Sequence, residues 1–113
     1  MHCLLLTLTL CAALHDSPVM ALTTAQTAAM VADGISTRRF VARGQRERDP
    51  IARLAIGSAP TWGRIVPVGA AVVVLQTYLA ERMKTSRHEW ARRVWWLPQV
   101  VSIQVHTTLA VGN

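Results

Sequence analysis

Residues 65–80 read IVPVGAAVVVLQTYLA, and this run decides the fold. It carries no charge over 16 residues. As a helix it is about 24 Å long, short of a hydrocarbon core of roughly 30 Å. Trp62, Tyr78 and flanking arginines whose stems lie along apolar surface extend its reach. Pro67 falls near its start, where a missing N–H costs little. The expectation is a transmembrane helix.

Downstream, residues 94–111 (VWWLPQVVSIQVHTTLAV) form a second run, uncharged apart from His106. Trp95 and Trp96 at its start match Tyr78 at the end of the previous run, as half of an aromatic belt at one interface. Between the two lies a charged connector, residues 81–93. Upstream, residues 22–41 read as a helix with an apolar body of Ala25, Ala28, Ala29, Met30 and Val31. Arg38 and Arg39 stop its apolar part. Residues 43–64 are less regular. Gly44 breaks the helix, Asp49-Pro50 is a cap followed by a first-turn proline, and Gly57 is a stop. This predicts a short helix over 50–56, lying on the membrane surface, with Thr61 a cap for the next element.

Residues 3–14 (CLLLTLTLCAAL) are apolar but too short to span. They suit the hydrophobic region of a signal peptide, and Val19-Met20-Ala21 offers a small-residue cleavage site, although no Lys or Arg precedes the run. A cleaved signal, an uncleaved anchor and a true start at Met20 are all open. The chain divides into residues 1–21, a signal peptide or anchor, and one helical domain over 22–113. The fold class is all-α: a small membrane bundle of about three hydrophobic helices plus a short surface helix, preceded by a signal-like segment.

Composition points the same way. Hydrophobic residues are 51% of the chain and charged residues 16%, against about 25% charged in ordinary soluble domains. The net charge is nonetheless +6, from eleven arginines and one lysine, Lys84. These sit in two blocks between apolar runs, a membrane pattern rather than the basic surface of a nucleic-acid binder. Without aromatic interleaving, anionic lipid headgroups are the simpler counter-charge. Cys3 and Cys11 both lie in the first run, so a chain cut after it has no disulfide framework. The bulky Leu10 before Cys11 speaks against lipidation.

Orientation is less clear. Residues 38–64 hold seven basic side chains and residues 81–93 hold five. With three spans these loops face opposite sides, so one of them goes against the positive-inside tendency. The export segment and the larger count both put 38–64 in the cytoplasm. A soluble or interfacial bundle, acting as an interaction module, removes the conflict and is the alternative.

Asp33 is the residue most worth singling out, because a carboxylate inside a hydrophobic helix faces a partner or water. Gln26, Asp33 and Thr37 fall on one stripe, at i, i+7 and i+11. Gln99, Ser102 and His106 form a second stripe in the last run. The first and third of three antiparallel spans run parallel, and Asp33 and His106 stand at similar depth in theirs. A contact between them is geometrically reasonable. It is either a polar staple or a proton- or ligand-handling pair. His88-Glu89 begins a zinc-helix motif, but that chemistry needs a second histidine four residues on, where Arg92 stands. The histidines at 2, 15, 88 and 106 share no metal-ligand spacing. No catalytic, cofactor or metal signature emerges, and an activity is not inferable from these residues.

The run Ala32-Asp33-Gly34-Ile35-Ser36-Thr37-Arg38-Arg39, then Gly44, then Glu47-Arg48-Asp49-Pro50-Ile51-Ala52-Arg53, resembles a family of small bacterial membrane proteins of unknown function. Its members carry an intramembrane D-x-x-[ST]-T, a short basic stretch and E-x-[ND]-P before another hydrophobic helix. Asp49 stands where many members have Asn, and Ser36 where many have Thr. The resemblance covers roughly residues 25–110. It implies a bacterial membrane location, here the inner membrane, and marks Asp33, Ser36, Thr37, Glu47, Asp49 and Pro50; the exported-bundle alternative would instead be periplasmic. It implies no activity. On physical grounds Glu47 is expected to pair with a nearby arginine, and Asp49-Pro50 to start the short helix.

Overall fold

The computed structural model describes residues 1–46, 50–57 and 59–112, and among these it is helical throughout with no strand. The elements are α1 (His2–Leu14), α2 (Ser17–Ala42), α3 (Pro50–Ile56), α4 (Trp62–Lys84), α5 (Glu89–Arg93) and α6 (Leu97–Gly112).

Helix α2 starts at Ser17, earlier than the expected residue 22. The cause is local. Asp16 takes extended backbone and its Oδ1 accepts a hydrogen bond from the Val19 N–H at 3.4 Å, while Pro18 sits in the first turn. This is the same cap-plus-proline chemistry that was expected at Asp49-Pro50. The boundary drawn at residue 21 therefore falls inside a continuous helix. α1 meets α2 at a 93° bend.

The far end of α2 closes on Gly44, whose φ of 86° is left-handed. Its N–H donates to the Val41 carbonyl at 2.9 Å and that of Gln45 to Phe40 at 3.3 Å. That double closure satisfies carbonyls the helix itself cannot reach, and glycine takes the left-handed position without steric cost. α3 runs from Pro50 to Ile56 and stops at Gly57, also left-handed at φ 87°. Its expected cap, Asp49, lies outside the described residues.

α4 is longer than its uncharged run by a few residues at each end. Thr61 stands at its N-cap without a side-chain hydrogen bond; the N–H groups of Arg64 and Ile65 donate to the Thr61 carbonyl instead. The last apolar run is split. Residues 94–96 form a turn, in which the Trp96 indole N–H donates to the Arg93 carbonyl at 3.0 Å. α6 restarts at Leu97 with Pro98 in its first turn.

Cross-helix contacts fix the topology. Thr23 of α2 meets Thr77 of α4, and further along α2 Gly34 lies against Trp62 and Ile65, so α2 and α4 are antiparallel. Gln99, His106 and Ala110 of α6 meet Thr23, Asp33 and Ser36 in ascending order, so α2 and α6 are parallel. Around this three-helix body, α1 packs on α4 and α2, and α3 packs on α4.

The sequence reading expects about three hydrophobic helices of spanning character. Among the described residues only α4 is long and apolar enough by itself to cross a membrane; α1 and α2 pass only as a bent pair. α6, with 16 residues, is too short by itself.

Candidate polar seam and adjoining cavity

Among the described residues, the side chains buried where α2, α4 and α6 meet are largely polar, while many large apolar side chains of these helices face outward. Among the described residues the buried side chains include Gln26, Gln99, Thr37, Thr77 and Ser102. Those at the surface include Leu75 at 64% exposed, Val66 at 59% and Val101 at 50%. A helix places residues three, four and seven apart on one face. The polar residues of α2 and α6 follow that spacing and meet along one seam.

Following α2 from its N-terminal half, the Thr23 and Thr77 hydroxyls are 2.9 Å apart, and the Gln99 amide donates to Thr23 Oγ1 at 2.8 Å. One turn on, the fully buried Gln26 donates from Nε2 to Gln76 Oε1 and to Ser102 Oγ, the latter at 3.0 Å. Its own Oε1 accepts from Gln99 at 3.4 Å. Three helices thus share one amide network. Further along, His106 Nδ1 lies 2.7 Å from Asp33 Oδ2, and the Thr37 hydroxyl donates to Asp33 Oδ1 at 3.4 Å. The seam ends where the Ser36 hydroxyl donates to the Ala110 carbonyl at 3.1 Å.

The structure thus brings Asp33, Thr37 and His106 together, with Gln99 on the same seam and Ser36 one turn beyond. Pro50 opens α3 and is exposed, away from the seam. Glu47 and Asp49 lie outside the described residues. The α4 contribution, Gln76 and Thr77, escaped the sequence reading. The signal was there: they are the only amide and the only aliphatic hydroxyl in the run 65–80.

Beside the Asp33–His106 pair, a cavity of about 500 Å³ opens between α2 and α4. Its walls are mainly valine, isoleucine and Trp62, with Asp33, His106, Thr27 and Thr37 as the polar members. Gly34 lets α4 come close at this point: a Cβ there would stand 3.2 Å from Trp62 and 3.3 Å from Ile65. No lysine or arginine lines the cavity among the described residues. Chemically, the imidazole–carboxylate pair can hold and exchange a proton, and Asp33 fixes the imidazole through Nδ1.

At the opposite end of the bundle stands a second charged cluster. Lys84 Nζ lies 2.8 Å from both carboxylate oxygens of Asp16 and 4.8 Å from the centre of the Trp95 ring. Burial works against the charged form of Asp16. Hydrogen bonds with Lys84, Glu81 and the Val19 N–H, together with the Lys84 charge, outweigh it and hold the carboxyl below its ordinary value. The fully buried Ala13, Val19 and Ala80 pack against Trp95 beside this cluster. Among the described residues no three His, Cys, Asp or Glu side chains gather as a metal site.

No protein-family model, curated protein or solved structure matches the chain.

Proposed function

We propose that this chain is a small integral membrane protein of the bacterial inner membrane, a helical bundle joined through a polar seam. The observation that carries the reading is the inverted polarity: Gln26 and Gln99 are fully buried while Val66, Leu75 and Val101 are half exposed or more. Water would drive the opposite arrangement. In hydrocarbon, apolar side chains gain nothing by leaving the lipid, whereas amides and hydroxyls find partners only in one another. The exposure of α4 agrees, for only 11% of its apolar stretch is buried, unlike the core helix of a soluble domain.

In this arrangement the flanking arginines meet anionic headgroups. α1, with Leu4, Leu8 and Leu14 exposed and a 93° corner to α2, lies along one interface. Fractionation tests the reading. The protein is expected to stay with membranes in alkaline carbonate and to need detergent for release. Release by carbonate or high salt identifies a peripheral or exported bundle instead. Reporter fusions at Gln45 and Ser86 are expected on opposite sides, with Gln45 cytoplasmic.

A further inference from the structure

We infer that the cavity between α2 and α4 holds one acyl chain of a membrane phospholipid, which enters at the Trp62 end and lies along α4. The inference rests on the reading of this protein as integral to a membrane. Shape comes first. On α2 the wall runs from Thr27 through Met30 and Gly34 to Thr37, and on α4 from Trp62 to Val74. The α2 residues share one helix face, so the cavity follows the helix axes rather than crossing them. From Trp62 to Val74 the helix rises about 18 Å. Spread over that length, about 500 Å³ leaves a cross-section of about 30 Å². That is room for a single extended hydrocarbon chain.

The lining decides the chemical class. Asp33 Oδ2 stands 2.7 Å from His106 Nδ1, the Thr37 hydroxyl donates to Asp33 at 3.4 Å, and the Thr27 hydroxyl donates to the Thr23 carbonyl at 2.8 Å. The four polar members are thus engaged within the protein, and the rest of the wall is apolar. Water stays in a buried space only with about two to four polar partners, so an apolar one is dry. Without neighbours the valines forfeit the dispersion contacts of close packing. Between helices in hydrocarbon, packing rather than expulsion of water is the driving force, and a chain restores it. The mouth faces outward, with Val31 54%, Val66 59% and Val74 47% exposed. In a bilayer, acyl chains are the nearest material to fill it. The direction of entry follows from charge. Arg64 stands in the first turn of α4, and the Arg38 guanidinium donates to the Pro60 carbonyl at 2.8 Å. Both offer a counter-charge to a headgroup phosphate, and α4 carries no further basic residue before Arg82.

The test is native mass spectrometry of the detergent-solubilised full chain titrated with phosphatidylglycerol. A single lipid is expected to be retained at saturation. Val66→Trp sets a large ring across the mouth and is expected to weaken retention about tenfold or more. Val101→Trp, at a position also exposed but on α6 and away from the cavity, is expected to change nothing. Glycerol phosphate, a headgroup without chains, is expected not to bind. Retention that survives in Val66→Trp, falls equally in Val101→Trp or is matched by glycerol phosphate overturns the proposal. Should Val66→Trp lose its helix content, a second measurement on the unmodified chain decides. Phosphatidylglycerol brominated near the carboxyl end of its chains, added in equimolar amount, is expected to quench Trp62, read as the difference from Trp62→Phe; equal quenching in the two proteins overturns the proposal. Release by carbonate ends the membrane reading and this inference together. An integral protein that retains no lipid overturns the inference alone.

Discussion

Replacing Gln26 with Met removes the amide at the centre of the seam while keeping the length and approximate volume of the side chain, so packing changes little. The lost interactions can be counted. Gln26 donates to Gln76 and Ser102 and accepts from Gln99. In bilayers, polar interhelix contacts contribute on average about 0.6 kcal/mol each, with a maximum of about 1.7. Three of them amount to about 2 kcal/mol. Gln99 keeps its bond to Thr23, which holds the loss near that figure rather than at the upper limit. The assay is unfolding of the detergent-solubilised protein by increasing sodium dodecyl sulfate, followed by helical circular dichroism. A destabilisation of about 1–3 kcal/mol agrees with the seam joining the three helices. A change under about 0.5 kcal/mol, or a gain in stability, would refute it, because a fully buried three-way amide cannot be both formed and indifferent.

Other outcomes follow from the same geometry. Asp33→Leu and His106→Leu are each expected to cost about 1–3 kcal/mol, and the double variant less than their sum; strict additivity in the same unfolding assay means that the two side chains do not act together. Gly34→Leu is expected to push α2 from Trp62 and Ile65 and cost about 1–3 kcal/mol, read as a lowered thermal midpoint; an unchanged midpoint removes the close approach. Asp16 is held below its ordinary value of 3.8, so its contribution is complete above that pH and is lost as pH falls through the lowered value. Acid is thus expected to loosen the corner between α1 and α2, seen as faster amide exchange near Val19, and Asp16→Ala to remove this acid dependence at a cost of about 1 kcal/mol. An acid response that persists in Asp16→Ala would assign it to another group.

What could be seen in the sequence was whatever short-range chemistry determines. α3 carries its bounds on its face, since Pro50 can start a helix and Gly57 can take a left-handed stop. The stripe Gln99, Ser102, His106 could be read because a helix repeats, and its parallel run with α2 followed from antiparallel neighbours. The start of α2 was legible too, in Asp16-Ser17-Pro18, where a capping carboxylate precedes a first-turn proline. The turn at 94–96 hides because Trp95 and Trp96 are as apolar as the helix that follows. The Lys84–Asp16 pair spans 68 positions, and no local pattern connects residues so far apart. Spanning character is a matter of length, and a turn that removes three residues from the last run takes α6 below it.

The Asp16 cap has a bearing on timing. A protease cutting after Ala21 would need that bond extended in its active site, yet in the folded chain it lies within α2, soon after a capped first turn. Val19, two residues before, is fully buried against Ala13, Ala80 and Trp95. Folding therefore shields the bond, so any cleavage there would have to precede docking of α2. A chain cut before α4 docks would lose the α2 cap and leave Lys84 without its carboxylate. A chain that docks first would keep residues 1–21, with the seam and the corner completed in one step.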